Sequence, residues 1–348
     1  RSIDYSRHPN GKIEGVTTTF NSVTDVLFNN TVFNPFGKAG GMTSGSGSTV
    51  SNQTSECDCL EVANPGAPME TIYSYDANRN LTSVRAANAP WLDRDYTYDP
   101  LNRLANADGA FGSYAFTYDD VGNRLTSTEN GQSKTYFYIP GTNRIEAVTA
   151  GSQTVGYVDD PNGNIVRIGD RVLKYNQNNR LVRVEENTNV LGEYLYSGMG
   201  QRVTKTVEGV ETLFHYDFDG KIIGESAPDG TFSKEYLYTS YTPKALVDVA
   251  SGQIYYYLND NLGTPQMLVD STNTIVWEAS YEPFGEALIN PKSPVENNFR
   301  FAGQYYDAET KLHYNYHRYY DPKIGRYLTS DPIGFAGGDI NLYSYVQN

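Results

Sequence analysis

The stretch Tyr118–Ser127 reads YDDVGNRLTS, and close copies of it recur along the chain: YDANRNLTSV from Tyr75, YDPLNRLANA from Tyr98 and YNQNNRLVRV from Tyr175. Aligned on the tyrosine before each turn, the copies fall at Tyr75, Tyr98, Tyr118, Tyr138, Tyr157, Tyr175, Tyr196, Tyr216, Tyr238, Tyr257 and Tyr281, spaced 18 to 24 residues apart. A period near twenty is shorter than helical repeats use, and the residues between turns are Tyr, Val, Thr and Leu with no 3.6-residue stripe. The unit is therefore made of strands. In SYAFTYDDVGNRLTST, Tyr114, Phe116 and Tyr118 alternate onto one face, Asp119–Asn123 carries turn chemistry and Leu125 opens the return strand, so one period is one β-hairpin. At Tyr216–Gly224, YDFDGKIIG, the Asp-Gly pair is expected to supply the positive φ angles of a tight turn. The aspartate after each tyrosine is read as a turn residue whose carboxylate accepts backbone N–H groups. Asp119/Asp120 and Asp159/Asp160 are not read as acid–base pairs, because neighbours in a turn diverge.

Eleven hairpins in series give about twenty-two strands, a ribbon about 100 Å wide at the usual strand spacing. Twisted sheets of that width curl, split or close, so the expected fold is all-β, a long spiralling antiparallel sheet forming a hollow shell. The 348 residues contain 30 Tyr against 14 Phe and 2 Trp. Such an excess suits a wall packed on one side and partly hydrated on the other.

The formal charge of −14 and the lack of any basic run argue against a nucleic-acid partner. No apolar run has the length of a membrane-spanning helix, and the opening RSIDYSRHPN is neither a Met nor a signal sequence, so the chain is read as a fragment of something longer. Cys57 and Cys59, in ECDCL, are too awkwardly spaced for an unstrained disulfide and are read as loop thiols. His313 and His317 lie in LHYNYHRYY, read as one strand that would hold them about 13 Å apart, so no metal site is expected. GMTSGSGS from Gly41 lacks the Lys of a phosphate loop, and no cofactor is expected.

The Y-D-x-x-G-N-R-L units resemble the YD repeats of the Rhs group, which also includes bacterial insecticidal-toxin subunits and the animal teneurins. The last third carries the more specific resemblance: YLNDNLGTPQMLVD from Tyr257, YEPFGE from Tyr281, and RFAGQYYDAETKLHYNYHRYYDPKIGRYLTSDPIGFAGGDINLYSYVQN from Arg300, similar to the Rhs-associated core. The resemblance implies a cocoon that encloses a variable C-terminal toxin, with the core block plugging one end and releasing the toxin by self-cleavage. It attributes that cleavage to two aspartates. The first corresponds to Asp331 in SDPIGFAGG, and the second belongs to a further Asp-Pro-x-Gly motif some twenty residues on, past Asn348. Aspartyl chemistry needs two carboxylates sharing one proton, so only a half-site is expected here. Asp331 before Pro332 is equally suited to form a turn, as is Asp321 before Pro322. Arg318 and Arg326 are near enough in sequence to orient a carboxylate, and stacking or salt-bridge roles remain open to both.

Three regions are expected: residues 1–70, degenerate repeats with a Gly/Ser-rich loop over Phe36–Glu56 that continue an upstream shell; 71–289, the YD-repeat shell; and 290–348, the core block, set off by NPKSPVENN from Asn290. The expected role is a shell segment of a secreted bacterial protein, with its own toxin domain and the secretion machinery as partners. The alternative is a cell-surface or extracellular scaffold that binds through its outer face or self-associates into oligomers or filaments.

Overall fold

A computed structural model describes side chains for Met69, residues 71–301 and residues 303–345, together with the backbone of five strands between Ser2 and Ser51. Cys57 and Cys59 lie outside the described residues. The five strands, Ser2–Arg7, Ile13–Phe20, Val23–Phe33, Ala39–Ser44 and Ser48–Ser51, pair in chain order, so the stretch read as a loop contains two strands.

From Thr71–Tyr75 to Ala287–Ile289 the chain forms 22 strands, each antiparallel to the one before. The repeat explains why. In the Tyr118 unit the ladder steps from Thr117↔Thr126 to Tyr118↔Arg124, a bulge that begins the turn. The Asp119 carboxylate then accepts the backbone N–H groups of Val121 at 3.0 Å and Asn123 at 2.8 Å, and the Asn123 amide at 2.8 Å. Asn123 also reaches Asn143 Oδ1 of the next repeat at 2.9 Å. Gly122 sits at φ 81°, where a Cβ would be strained. The turn at Tyr216 corrects one expectation. Only Gly220 has positive φ there, while Asp217 serves as acceptor for the N–H groups of Asp219 and Lys221, as in a longer bulged loop.

The tyrosine hydroxyls answer a different need from the one expected. Tyr98 donates to the Leu81 carbonyl at 2.8 Å, Tyr118 to Leu104 at 2.9 Å, Tyr138 to Arg124 at 2.9 Å and Tyr216 to Arg202 at 2.8 Å. Each acceptor opens the return strand of the preceding repeat. The ring packs in the wall, and its polar end ties one hairpin to the next instead of facing water.

A small four-stranded sheet, Tyr305–Asp307, Leu312–Asn315, Arg318–Asp321 and Arg326–Tyr327, packs on the tyrosine face. LHYNYHRYY is thus a hairpin rather than one strand, reversing at Tyr316, whose φ is 50°. Residues of this short segment touch strands spread over most of the ribbon: Tyr343 bonds the Gly163 carbonyl, Tyr314 the Arg202 amide and Tyr320 the Phe284 carbonyl, and Phe299 packs on Tyr236 and Tyr257. A flat ribbon could not reach them all, so the sheet wraps around the segment. Its strand order returns to its start. The ends meet by overlap: Met69, Ala86, Ala89 and Leu92 cover Ala245, Leu258, Met267 and Val269, which face away from the tyrosine face. Asn261 adds bonds to the hydroxyls of Tyr73 and Tyr75 across this junction.

The wrapped space is largely taken by the chain's own C-terminal segment. Among the described residues a cavity of about 420 Å³ is bordered by Tyr73, Arg94, Tyr118, Arg124, Phe284 and Tyr345. That is the size of a small-molecule cavity, far below a folded domain.

Candidate functional site

Asp331 follows the last strand of the small sheet, and three backbone bonds fix it: Tyr327 N–H to Tyr343 O at 3.0 Å, Leu328 N–H to Tyr319 O at 3.0 Å and Asp331 N–H to Leu342 O at 2.9 Å. Leu328 is also held by the wall, its carbonyl accepting the Ile165 N–H at 2.9 Å. The Asp331 carboxylate has two partners. Its Oδ1 accepts the Ile333 N–H at 3.0 Å, the turn contact expected of Asp-Pro, and its Oδ2 pairs with Arg318 at 2.7 Å. Asp331 thus makes its own turn contact and an ion pair with Arg318 at the same time. Asp321 also forms its turn, accepting the Lys323 N–H at 2.9 Å.

Arg318 is aimed by stacking. Its guanidinium lies 3.6 Å from the Tyr327 ring centroid and donates to the Leu342 carbonyl at 3.2 Å, while Asn315 holds the Tyr327 hydroxyl at 2.5 Å. A half-buried, stacked guanidinium thus holds one oxygen of the Asp331 carboxylate while the turn holds the other. Arg326 goes elsewhere. It donates to the Asn143 carbonyl at 2.6 Å and lies over the rings of Tyr138 and Tyr343, joining the C-terminal segment to the wall. Among the described residues no second carboxylate is hydrogen-bonded to Asp331.

The histidines are occupied. His313 Nδ1 contacts Gln304 Oε1 at 2.6 Å, and burial together with nearby Arg300 pulls its pKa down to about 3. His317 contacts Arg180, and burial lowers it as well. Among the described residues no cluster of three metal-ligating side chains occurs.

Sequence reasoning missed a fully buried ion pair between the wall and the C-terminal segment. Arg202, on the strand Arg202–Val207, is fully buried and ion-paired with fully buried Asp307. The Arg202 guanidinium lies 4.4 Å from the Tyr314 ring and 4.8 Å from that of Phe214. Lys205 pairs with Asp307 at 3.3 Å and Glu309 at 3.4 Å, and Tyr194 donates to Glu309 at 2.9 Å. Burial raises the Glu309 pKa. The available signal was an Arg and a Lys three residues apart in an otherwise uncharged strand, but their partners lie more than a hundred residues away.

These features can be compared with known proteins. The chain matches the family described as Teneurin YD-shell over residues 61–346. It is 31% identical over 265 residues to the tRNA nuclease WapA of Bacillus subtilis, covering 72% of this chain and 11% of that protein. It is 28% identical over 320 residues to the double-stranded DNA deaminase toxin A of Burkholderia cenocepacia, covering 79% and 21%, and 28% identical over 330 residues to the toxin protein Tse5 of Pseudomonas aeruginosa, covering 79% and 24%. The chain thus spans a quarter or less of the length of these relatives. Among solved structures, the crystal structure of TcdB2-TccC3-Cdc42 covers 99% of the chain and 20% of its own at 18% identity and TM-score 0.65; the Photorhabdus luminescens Tc holotoxin pore covers the same shares at 17% and 0.67. At such identities the likeness is one of fold, and it agrees with the 22-stranded wall. The repeat, the wall and the matched span together place the chain in the YD-shell family of Rhs/YD-repeat proteins.

Proposed function

We propose that this chain is the C-terminal part of the shell of a bacterial Rhs toxin protein, which encloses a toxin domain and is secreted. Residues 71–289 serve as wall, residues 1–70 continue it, and residues 290–348 plug it and free the toxin by self-cleavage. The observation that carries this reading is the C-terminal segment bonded to strands over most of the wrapped wall while presenting Asp331 in a fixed position. The cavity left in this section is too small for a domain, so the reading places the cargo in space bounded by further shell. The relatives' names carry different activities, a deaminase and a nuclease, while their similarity to this chain lies in the shell. A shared container with variable contents accounts for both.

In this reading Asp331 is one member of an aspartyl pair, and Arg318 positions its carboxyl group. Its partner comes from the second Asp-Pro-x-Gly motif. The chemistry is hydrolysis of a peptide bond: one carboxylate removes a proton from water as it attacks the carbonyl, and the neutral partner donates to it. The test uses the full-length protein. Wild type is expected as two fragments on a denaturing gel that co-elute as one monomeric species in size-exclusion chromatography, with the toxin fragment resistant to added protease. Asp331→Asn is expected as one uncut chain. Equal cutting in Asp331→Asn removes the catalytic assignment, rapid digestion of the toxin region removes enclosure, and filaments or wide oligomers favour the scaffold alternative.

A further inference from the structure

The ladder registers reveal a position the repeat pattern conceals. The residue paired across each turn bulge is Tyr98 with Leu104, Tyr118 with Arg124, Tyr138 with Ile145, and Tyr175 with Leu181; between the last two stands Asp159, paired with Ile165. Asp159 therefore occupies the tyrosine position, two residues beyond Tyr157. The turn acceptor is Asp160, which takes the N–H groups of Asn162 and Asn164 at 2.9 Å. Across the wall, this position donates to the carbonyl opening the previous return strand. Tyr175 reaches Ile165 at 3.0 Å, Tyr196 reaches Leu181 at 2.6 Å and Tyr238 reaches Ile222 at 2.9 Å. Where Asn259 replaces the tyrosine, its amide donates to the Pro243 carbonyl at 2.8 Å. By the same rule the acceptor for Asp159 is the carbonyl of Ile145. An ionised carboxylate has no proton to donate there, and both Asp159 oxygens are buried without a hydrogen-bond partner.

We propose that Asp159 is a proton-gated tether: as a neutral acid its O–H donates to the Ile145 carbonyl and closes the joint between neighbouring hairpins, and on losing that proton it leaves the joint untied. The surroundings suit such a gate. Around it stand Arg144 before the strand Ile145–Ala150, Arg326 and Tyr343 from the C-terminal segment, Asp160 beside it and Tyr175 from the following hairpin. Neither arginine is ion-paired with it among the described residues. Burial is the largest influence and raises its pKa to about 6; Arg144 and Arg326 oppose the rise, and Asp160 adds to it. The folded-state pKa lies above the ordinary value of 3.8, so the folded joint binds the proton more tightly than the unfolded chain does. Stability is thus gained as pH falls through about 6, is complete below about 4, and is absent at pH 8.

The test is hydrogen exchange of the intact chain between pH 4.5 and 8, corrected for intrinsic rates, read at the amides of Ile145–Ala150 and Gln153–Asp159. In wild type the local opening constant is expected to fall on acidification, by at most about tenfold per pH unit for one linked proton. Asp159→Asn, which carries a permanent donor as Asn259 does, and Asp159→Tyr are expected to be closed and nearly pH-independent over that window. Asp159→Ala is expected to be open throughout. A wild-type profile shared by Asp159→Asn would assign the titration to another group and overturn the proposal. So would Asp159→Asn opening the joint at pH 7, the sign of a lost pair with Arg326. A carboxyl ¹³C titration that finds Asp159 ionised down to pH 4 would also end it.

Discussion

Replacing Asp307 by Asn tests how the C-terminal segment is held. The substitution preserves shape and removes one charge, leaving the fully buried Arg202 guanidinium among Tyr194, Phe214, Tyr314 and Tyr319 without its carboxylate. Ring faces attract a cation but do not replace an anion in contact with it, and removing one partner of a buried pair costs about 3–5 kcal/mol. For a unit of this size about 1 kcal/mol corresponds to roughly 2 °C, so Tm should fall by about 6–10 °C. The loss also has a location. Amides of Leu312–Asn315 and Arg318–Asp321 should lose exchange protection before those of the paired wall strands Gly112–Tyr118 and Arg124–Glu129 do. Arg202→Met/Asp307→Leu removes both charges together, and should recover most of the loss, since apolar replacements of a buried pair are often neutral or stabilising. Calorimetry and urea unfolding of the two single variants and the double variant complete the cycle. A change below about 1 kcal/mol in Asp307→Asn, or a double variant as unstable as the sum of the singles, would refute the account of this pair as a fastening between segment and wall.

Three shorter expectations use the same protein. Tyr238→Phe removes the donor to the Ile222 carbonyl and should cost about 1–3 kcal/mol in urea unfolding, whereas Tyr241→Phe, on an exposed ring, should stay within about 0.5 kcal/mol. Equal values for the two would remove the tether from the account. Gly163→Ala adds a Cβ at φ 82° that would lie 2.5 Å from the Tyr343 hydroxyl, which itself bonds the Gly163 carbonyl; a loss of about 1–3 kcal/mol is expected, while Gly230→Ala, with open space at φ 85°, should show the backbone strain alone. Arg318→Gln should slow self-cleavage of the full-length protein without abolishing folding, and Arg326→Gln should lower stability more than it changes the cleavage rate, because Arg326 bonds Asn143 and not Asp331.

The wall was legible because its determinants are local. Asp119 and Asn123 are four residues apart and sit in the same turn, so pattern and period alone set hairpin count and turn edge. What the period could not convey was register. Counting tyrosines placed the fifth unit's anchor at Tyr157, and only the ladder shows Asp159 in that position, because YVDDPNGN reads as a complete unit with the tyrosine two residues early. The filling of the wrapped space was illegible for a physical reason of the same kind. Arg202 and Asp307, Arg171 and the Thr310 carbonyl, and Asn123 and Asn341 meet across more than a hundred residues, and no local pattern records which distant side chain will supply a buried charge with its partner. At Asp331 the local half of the site was legible and the Arg318 stack on Tyr327 was not, since it arises from two strands brought side by side.

An electron cryo-microscopy map of the purified chain tests the central claim most directly. It should contain a continuous wall of 22 antiparallel strands wrapped around residues 305–345, with the Arg202 side chain meeting Asp307 inside it. A map in which the hairpins stand as separate units, or in which residues 305–345 lie outside the wrapped sheet, would contradict it.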